Sequence, residues 1–143
     1  MNKTFLQKLD ITPKKWYLID ADGKILGRLA SSVVNILTGK NKTLYSPNLD
    51  MGDNVIIINS RKINTTGNKE DQKRYYNHSG RPGGLKIESL SKLRTRIPNR
   101  IIEKAVKGML PKGRLGRQLF THLKVYADSH HCHDAQQPEI INL

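Results

Sequence analysis

A small α/β domain, three layers deep around a mostly parallel sheet, is the fold this sequence predicts. Two observations carry the prediction. Val55-Ile56-Ile57-Ile58 is an unbroken apolar run, mostly β-branched, which is the pattern of a strand buried on both faces, as in a parallel sheet. Upstream, the strand-like run Trp16–Ile19 precedes a segment with Leu26, Leu29, Ala30, Val33, Val34 and Leu37 at helical spacing. Strand, helix and strand within about 45 residues make a right-handed crossover by default. At 143 residues the chain is one domain, covering 16–143, preceded by an N-terminal arm over 1–15. Hydrophobic residues reach only 36% and aromatics 6%, enough for a core but not a generous one.

Each element has its own warrant. The arm alternates polar and basic residues without a period and is broken by Pro13. Asp20-Ala21-Asp22-Gly23 is a turn, and the helix over Ile25–Thr38 ends at Gly39, where a left-handed residue belongs. The stretch Thr66–Gly84 has no period and reads as an extended basic loop, ordered only against a partner. Leu85–Thr95 is ambiguous, with Leu90 and Leu93 one helical turn apart. Pro98 opens a helix whose buried stripe is Ile101, Ile102, Ala105, Val106 and Met109, with Arg100, Lys104 and Lys107 on the other side. Pro111 stops it. A second basic glycine loop leads to a short helix with Leu115, Leu119 and Phe120, then to a strand over Leu123–Ala127. The tail 128–143 holds a histidine cluster and neither lysine nor arginine.

Net charge is +13, and its distribution says more than its size. Residues 61–124 hold seventeen Lys or Arg against four Asp or Glu, while 125–143 is net negative. A contiguous cationic block of this kind fits a polyanion-binding surface. In 66–84, lysines and arginines suit phosphates, tyrosines suit stacking, and glycines let backbone approach backbone. The candidate RNA-binding residues are Lys40, Lys42, Lys69, Lys73, Arg74, Tyr75, Tyr76, His78, Ser79, Gly80, Arg81, Gly83, Gly84, Lys86, Arg100, Lys104, Lys107, Lys112, Arg114, Arg117, His131 and His133. Of the adjacent pair Tyr75 and Tyr76, at least one is expected to be exposed.

Other chemistries fare worse. Gly39-Lys40 lacks the rest of a P-loop, and the G-x-G-x-x-G fingerprint is absent. A calcium loop starting at Asp20 would need a carboxylate where Ser31 stands. His130-His131-Cys132-His133 are too close together to wrap one tetrahedral ion, so no metal or cofactor is expected. Cys132 has no evident base to make it a nucleophile, and no paired carboxylates suggest acid–base catalysis. The single cysteine fits a reducing compartment, and no apolar run reaches the ~20 residues of a membrane span. A nucleotide-dependent α/β enzyme and a free-standing RNA regulator are the rival readings.

The chain also resembles a known family, the universal large-ribosomal-subunit proteins numbered thirteen, in their bacterial and organellar form. The resemblance rests on Leu26-Gly27-Arg28-Leu29-Ala30, Thr66-Gly67-Asn68-Lys69, Tyr75-Tyr76, His78-Ser79-Gly80 with Gly83-Gly84, Ala105 through Lys112, Leu115-Gly116-Arg117 and Ala135 through Pro138. It covers about residues 14–140. It implies a three-layer α/β/α fold with a small, about four-stranded, mostly parallel sheet, binding of large-subunit ribosomal RNA early in assembly, neighbouring ribosomal proteins as partners and no catalysis. It further implies a monomer within the ribosome, with no membrane and no small-molecule substrate. The positions it marks as RNA-facing are Lys40, Lys69, Tyr75, His78 to Gly84, Lys107, Lys112, Arg117, His131 and His133. Abundant Asn, Ile and Lys and the lack of a transit peptide favour a plastid (chloroplast) ribosome, with the bacterial cytoplasm as the alternative.

Overall fold

The computed structural model describes residues 13–142, so most of the expected arm lies outside the described residues. Strand β1 (Trp16–Asp20) pairs in parallel with β2 (Asn54–Ile58), Ile19 lying opposite Ile57. Helix α1 (Leu26–Thr38) connects them. It ends as its glycine requires: Gly39 sits at φ 76°, its N–H donates to Ile36 O, and the Lys40 N–H donates to Asn35 O. Gly52, which leads into β2, lies so close to this helix end that a Cβ there would stand 1.7 Å from Leu37 O. Only glycine lets the two backbones meet.

Three helices follow β2 and the hairpin described below: α3 (Leu90–Arg96), α4 (Asn99–Met109) and α5 (Arg114–Thr121). They lead to β5 (Leu123–Val125), which pairs in parallel with β2, and the chain ends near β6 (Glu139–Ile140), in parallel with β1. The sheet order is β5-β2-β1-β6, a four-stranded parallel sheet as expected. The steps from β1 to β2 and from β2 to β5 run in one direction across the sheet. Right-handed crossovers therefore put α1 and α4 on the same face, where they pack together over Ile19, Val55 and Ile57. Val55, Ile56 and Ile57 are all fully buried, so β2 is covered on both sides. The second face carries Trp16, whose ring lies 5.4 Å from that of His133. That layer is supplied by the chain around the short 3₁₀ turn Asp134–Gln136. Among the described residues no helix is long and apolar enough to cross a membrane.

The stretch 66–84 is not an irregular loop. It contains the single helical turn α2 (Lys69–Gln72) and strand β3 (Arg74–His78), which pairs antiparallel with β4 (Leu85–Ser89). The glycines belong to the hairpin end. Gly80 and Gly83 have φ of 86° and 71°, and the Ser79 and Gly84 N–H groups donate to Gly84 O and Arg81 O. Both faces of this hairpin are largely exposed, so it has no hydrophobic alternation to betray it. Met109, expected in the buried stripe of α4, is 47% exposed, whereas Ile101, Ile102 and Val106 are buried.

Two buried carboxylates fasten the leading ends of the strands. Asp53 Oδ1 accepts from the Lys15 N–H (2.9 Å) and from Lys42 Nζ (2.7 Å). Asp50 Oδ2 meets Lys14 Nζ (2.7 Å), His122 Nε2 (2.9 Å) and Gln118 Nε2 (3.1 Å). Burial works to raise the Asp50 pKa, but hydrogen bonds and charge from Lys14 and His122 outweigh it and hold the carboxyl below its usual range. A carboxyl with a depressed folded pKa stabilises the fold above its unfolded pKa, about 4, and that stabilisation is lost as pH falls through the folded value. Asp50→Asn should therefore cost about 2 kcal/mol at pH 7. In urea melts of both proteins that deficit should shrink at pH below about 4; a deficit constant with pH would contradict the assignment.

Candidate nucleic-acid interface

Helix α4 divides its surface between two solvents. Ile101, Ile102 and Val106 enter the core, which forces Arg100, Lys104 and Lys107 outward at spacings of four and three. Three hollows run end to end along this outer side. The first, about 540 Å³, lies between α4 and the hairpin and is lined by Tyr75, Lys86, Glu88, Arg96, Arg100 and Lys104, among others. The second, about 300 Å³, shares Arg100 and Lys104 with it and adds Lys107 and Phe120. The third, about 360 Å³, shares Lys107 and Phe120 and reaches Lys112 and Arg117 at the mouth of α5. Together they form one groove carrying seven cationic side chains.

Only two carboxylates line the groove, and one of them is engaged. Glu88 accepts from Arg96 Nε (2.9 Å) and an Arg96 terminal nitrogen (2.6 Å), and this hydrogen bonding lowers its pKa. The rest of the cationic charge has little to neutralise it from within the chain. Aromatic rings sit under the lysines: Lys104 Nζ is 4.9 Å from the Tyr75 ring centre, and Lys107 Nζ is 5.8 Å from that of Phe120.

The pair Tyr75 and Tyr76 splits as strand alternation requires. Tyr76 is 62% exposed on the outer face, beside Ile87, and is free to stack. Tyr75 turns inward against the core, capped by Lys73 at 5.4 Å, and its hydroxyl is buried with no partner among the described residues. At the tip, His78 Nδ1 accepts from the Gly80 N–H (2.9 Å), and Ser79, Gly80, Arg81 and Gly83 are exposed, with Gly84 half-buried. Arg74 and Lys86 are exposed on the two strands. The second basic loop is tightly folded, since a Cβ on Gly116 would stand 1.7 Å from Pro111 O. That fold presents Lys112, Arg114 and Arg117 to solvent.

Several sequence candidates lie elsewhere. Lys42 is bound to the buried Asp53, and Lys40 is exposed beyond the end of α1. Lys69 donates to Thr66 Oγ1 (2.9 Å) beside a different hollow. His133 lies beside Trp16 on the second face of the sheet, and His131 accepts from the His133 N–H (3.3 Å). His133 Nε2 lies 2.9 Å from the Tyr126 hydroxyl, and His131 Nδ1 lies 3.4 Å from Asp134. Hydrogen bonding to Cys132, together with burial, pushes the Tyr126 phenol up to about 12. Both imidazoles are half-buried and hydrogen-bonded within the chain. Sequence reasoning missed Arg96, Asn77 and Phe120. The row Arg100, Lys104 and Lys107 was legible from its spacing; Arg96 continues that spacing, but Pro98 divides it from them into another helix.

Because the Tyr75 hydroxyl is buried without a partner, Tyr75→Phe should leave the melting temperature unchanged or raise it by the equivalent of about 1 kcal/mol. A clear loss in thermal melts would reveal a hydrogen bond at that oxygen.

Comparison with known proteins places the chain in a family. The family model described as ribosomal protein L13 matches residues 14–132. A protein of Gloeothece citriformis named large ribosomal subunit protein uL13 is 59% identical over all of this chain and 95% of its own length. Its namesake in Synechocystis sp. is 59% identical over 99% of this chain and 93% of its own. That of Prochlorococcus marinus is 55% identical over all of this chain and 95% of its own. The chain belongs to the ribosomal protein L13 family.

Proposed function

We propose that this chain is a structural constituent of the large ribosomal subunit that binds large-subunit ribosomal RNA and supports early subunit assembly, without catalysing a reaction. The observation that carries the reading is the unbroken groove along α4, with cations from four separate elements and the connecting loop converging on it. Folded RNA is recognised by shape and backbone as much as by sequence. A rigid cationic groove beside a glycine-rich hairpin tip suits that mode. Tyr76 supplies a stacking face, and the tip's glycines admit close backbone approach. The chain acts as a monomer among neighbouring ribosomal proteins, with no small-molecule substrate. The cyanobacterial source of its relatives supports placement in a plastid ribosome.

If roughly eight phosphates are neutralised, the log–log dependence of RNA affinity on salt should have a slope of about −6 to −7. A slope near zero, measured by filter binding to protein-free large-subunit RNA, would refute the electrostatic mechanism. Replacing Lys112, Arg114 and Arg117 together by Ala should reduce that slope by about 2 to 3 while leaving the melting temperature nearly unchanged. Unfolding of that variant would assign the loop to stability instead.

A further inference from the structure

A second hollow, of about 490 Å³, lies on the other side of α4, outside the groove described above. Its size is within the range of clefts that take small ligands, about 300–1,000 Å³. We propose that it receives a single unpaired nucleotide of the bound RNA, its base against the apolar floor and its phosphates at the cationic rim. This rests on the RNA-binding reading and adds a site to it.

Three features point to that occupant. The floor is apolar: Ile25, Leu26 and Ala105 line it, and Met109 contributes a large side chain left 47% exposed. A base held there would cover it. The rim carries Arg28, Lys69 and Lys73, and among the described residues no carboxylate lines the hollow. Glu70, next in sequence to Lys69, is turned instead to Arg94 and Thr65. Thr65 and Thr66 line the same wall; the Thr65 hydroxyl donates to Glu70 and the Thr66 hydroxyl accepts from Lys69, which leaves the first able to accept from, and the second to donate to, a base edge or ribose. A wholly apolar peptide side chain would leave three cations facing it unpaired, and a free anion would leave the floor uncovered. A nucleotide uses both halves.

Gly27 gives a clean test. It lies on α1 at the wall of the hollow, has no left-handed backbone strain, and a Cβ added to it meets nothing within 4 Å. Gly27→Phe therefore fills the hollow while sparing the fold, and Gly27→Ala serves as the control. With protein-free large-subunit ribosomal RNA as the probe, Gly27→Phe should weaken binding about tenfold, the worth of one stacked base. The salt slope and melting temperature should stay as in the parent. Lys69→Ala with Lys73→Ala should instead lower the slope by about 1 to 2. Photocrosslinking from p-benzoylphenylalanine in place of Met109, in the assembled large subunit, should give one RNA stop by reverse transcription. Unchanged affinity in Gly27→Phe, or crosslinks only to protein, would overturn the nucleotide site. If the parent protein itself bound the RNA with no salt dependence, the electrostatic RNA-binding reading would fall, and with it the site.

Discussion

Burial of one stripe of α4 is the constraint on which the rest depends. Ile101, Ile102 and Val106 fit against α1 and the sheet, and each is fully buried. Burying such side chains stabilises by about 1.5–3 kcal/mol apiece. The cations that this rotation pushes outward repel one another, but exposed like charges at helical spacing cost only about 0.2–0.5 kcal/mol per pair. The apolar term wins, so the helix holds its cations in a row that the chain does little to neutralise. The same register sets Lys104 over the Tyr75 ring and so ties the hairpin to the helix. A polyanion relieves a repulsion that the core has imposed.

Not all basic residues share that situation, and the difference lies in what surrounds them. Lys14 and Lys42 are spent on Asp50 and Asp53, where they offset buried negative charge at the start of the sheet. Arg94 is spent on the carbonyls of Arg61 and Ile63 and on Glu70, fastening α3 to the segment after β2. Among the described residues, Arg100, Lys107, Lys112 and Arg117 have no counterpart of this kind, and they stand along the groove. A charge count therefore overstates the RNA-facing surface. That is why a slope for about eight phosphates, rather than for all seventeen cations of residues 61–124, is the fitting expectation.

What was legible in the sequence was whatever buries a face. Strand β2 announces itself because both of its sides are covered, and α1 because its apolar spacing runs its whole length and ends in a glycine. The hairpin β3–β4 was unreadable for the opposite reason. Tyr76, Leu85 and Ile87 share its outer face at 62%, 53% and 49% exposure, so composition there follows solvent and ligand rather than packing. The two-residue strand β6 is too short to carry a pattern. The surroundings of His133 were not legible because its ring partners, Trp16 and Tyr126, come from other parts of the chain. The carboxylates Asp50 and Asp53 look like ordinary turn residues until Lys14, Lys42 and His122 are brought to them.

Met109 shows how a departure from pattern carries information. Helical spacing assigns it to the core stripe, yet the chain leaves it in solvent beside Ala105, at the floor of a hollow rimmed by Arg28, Lys69 and Lys73. Helix α4 thus has three sides rather than two: a core side, a side of charged residues and a side where apolar surface waits under charge. An exposed methionine alone would be unremarkable on any protein surface. Here it lies between cations contributed by α1, α2 and the residue before β3, so apolar and charged groups from separate elements converge on one place. Convergence of that kind is a property of the fold and not of any segment, because α1 and α4, far apart in the chain, are packed side by side over the sheet they both cover. The two hollowed sides of α4 are therefore set by the same buried stripe, and a change that rotated the helix would disturb both together.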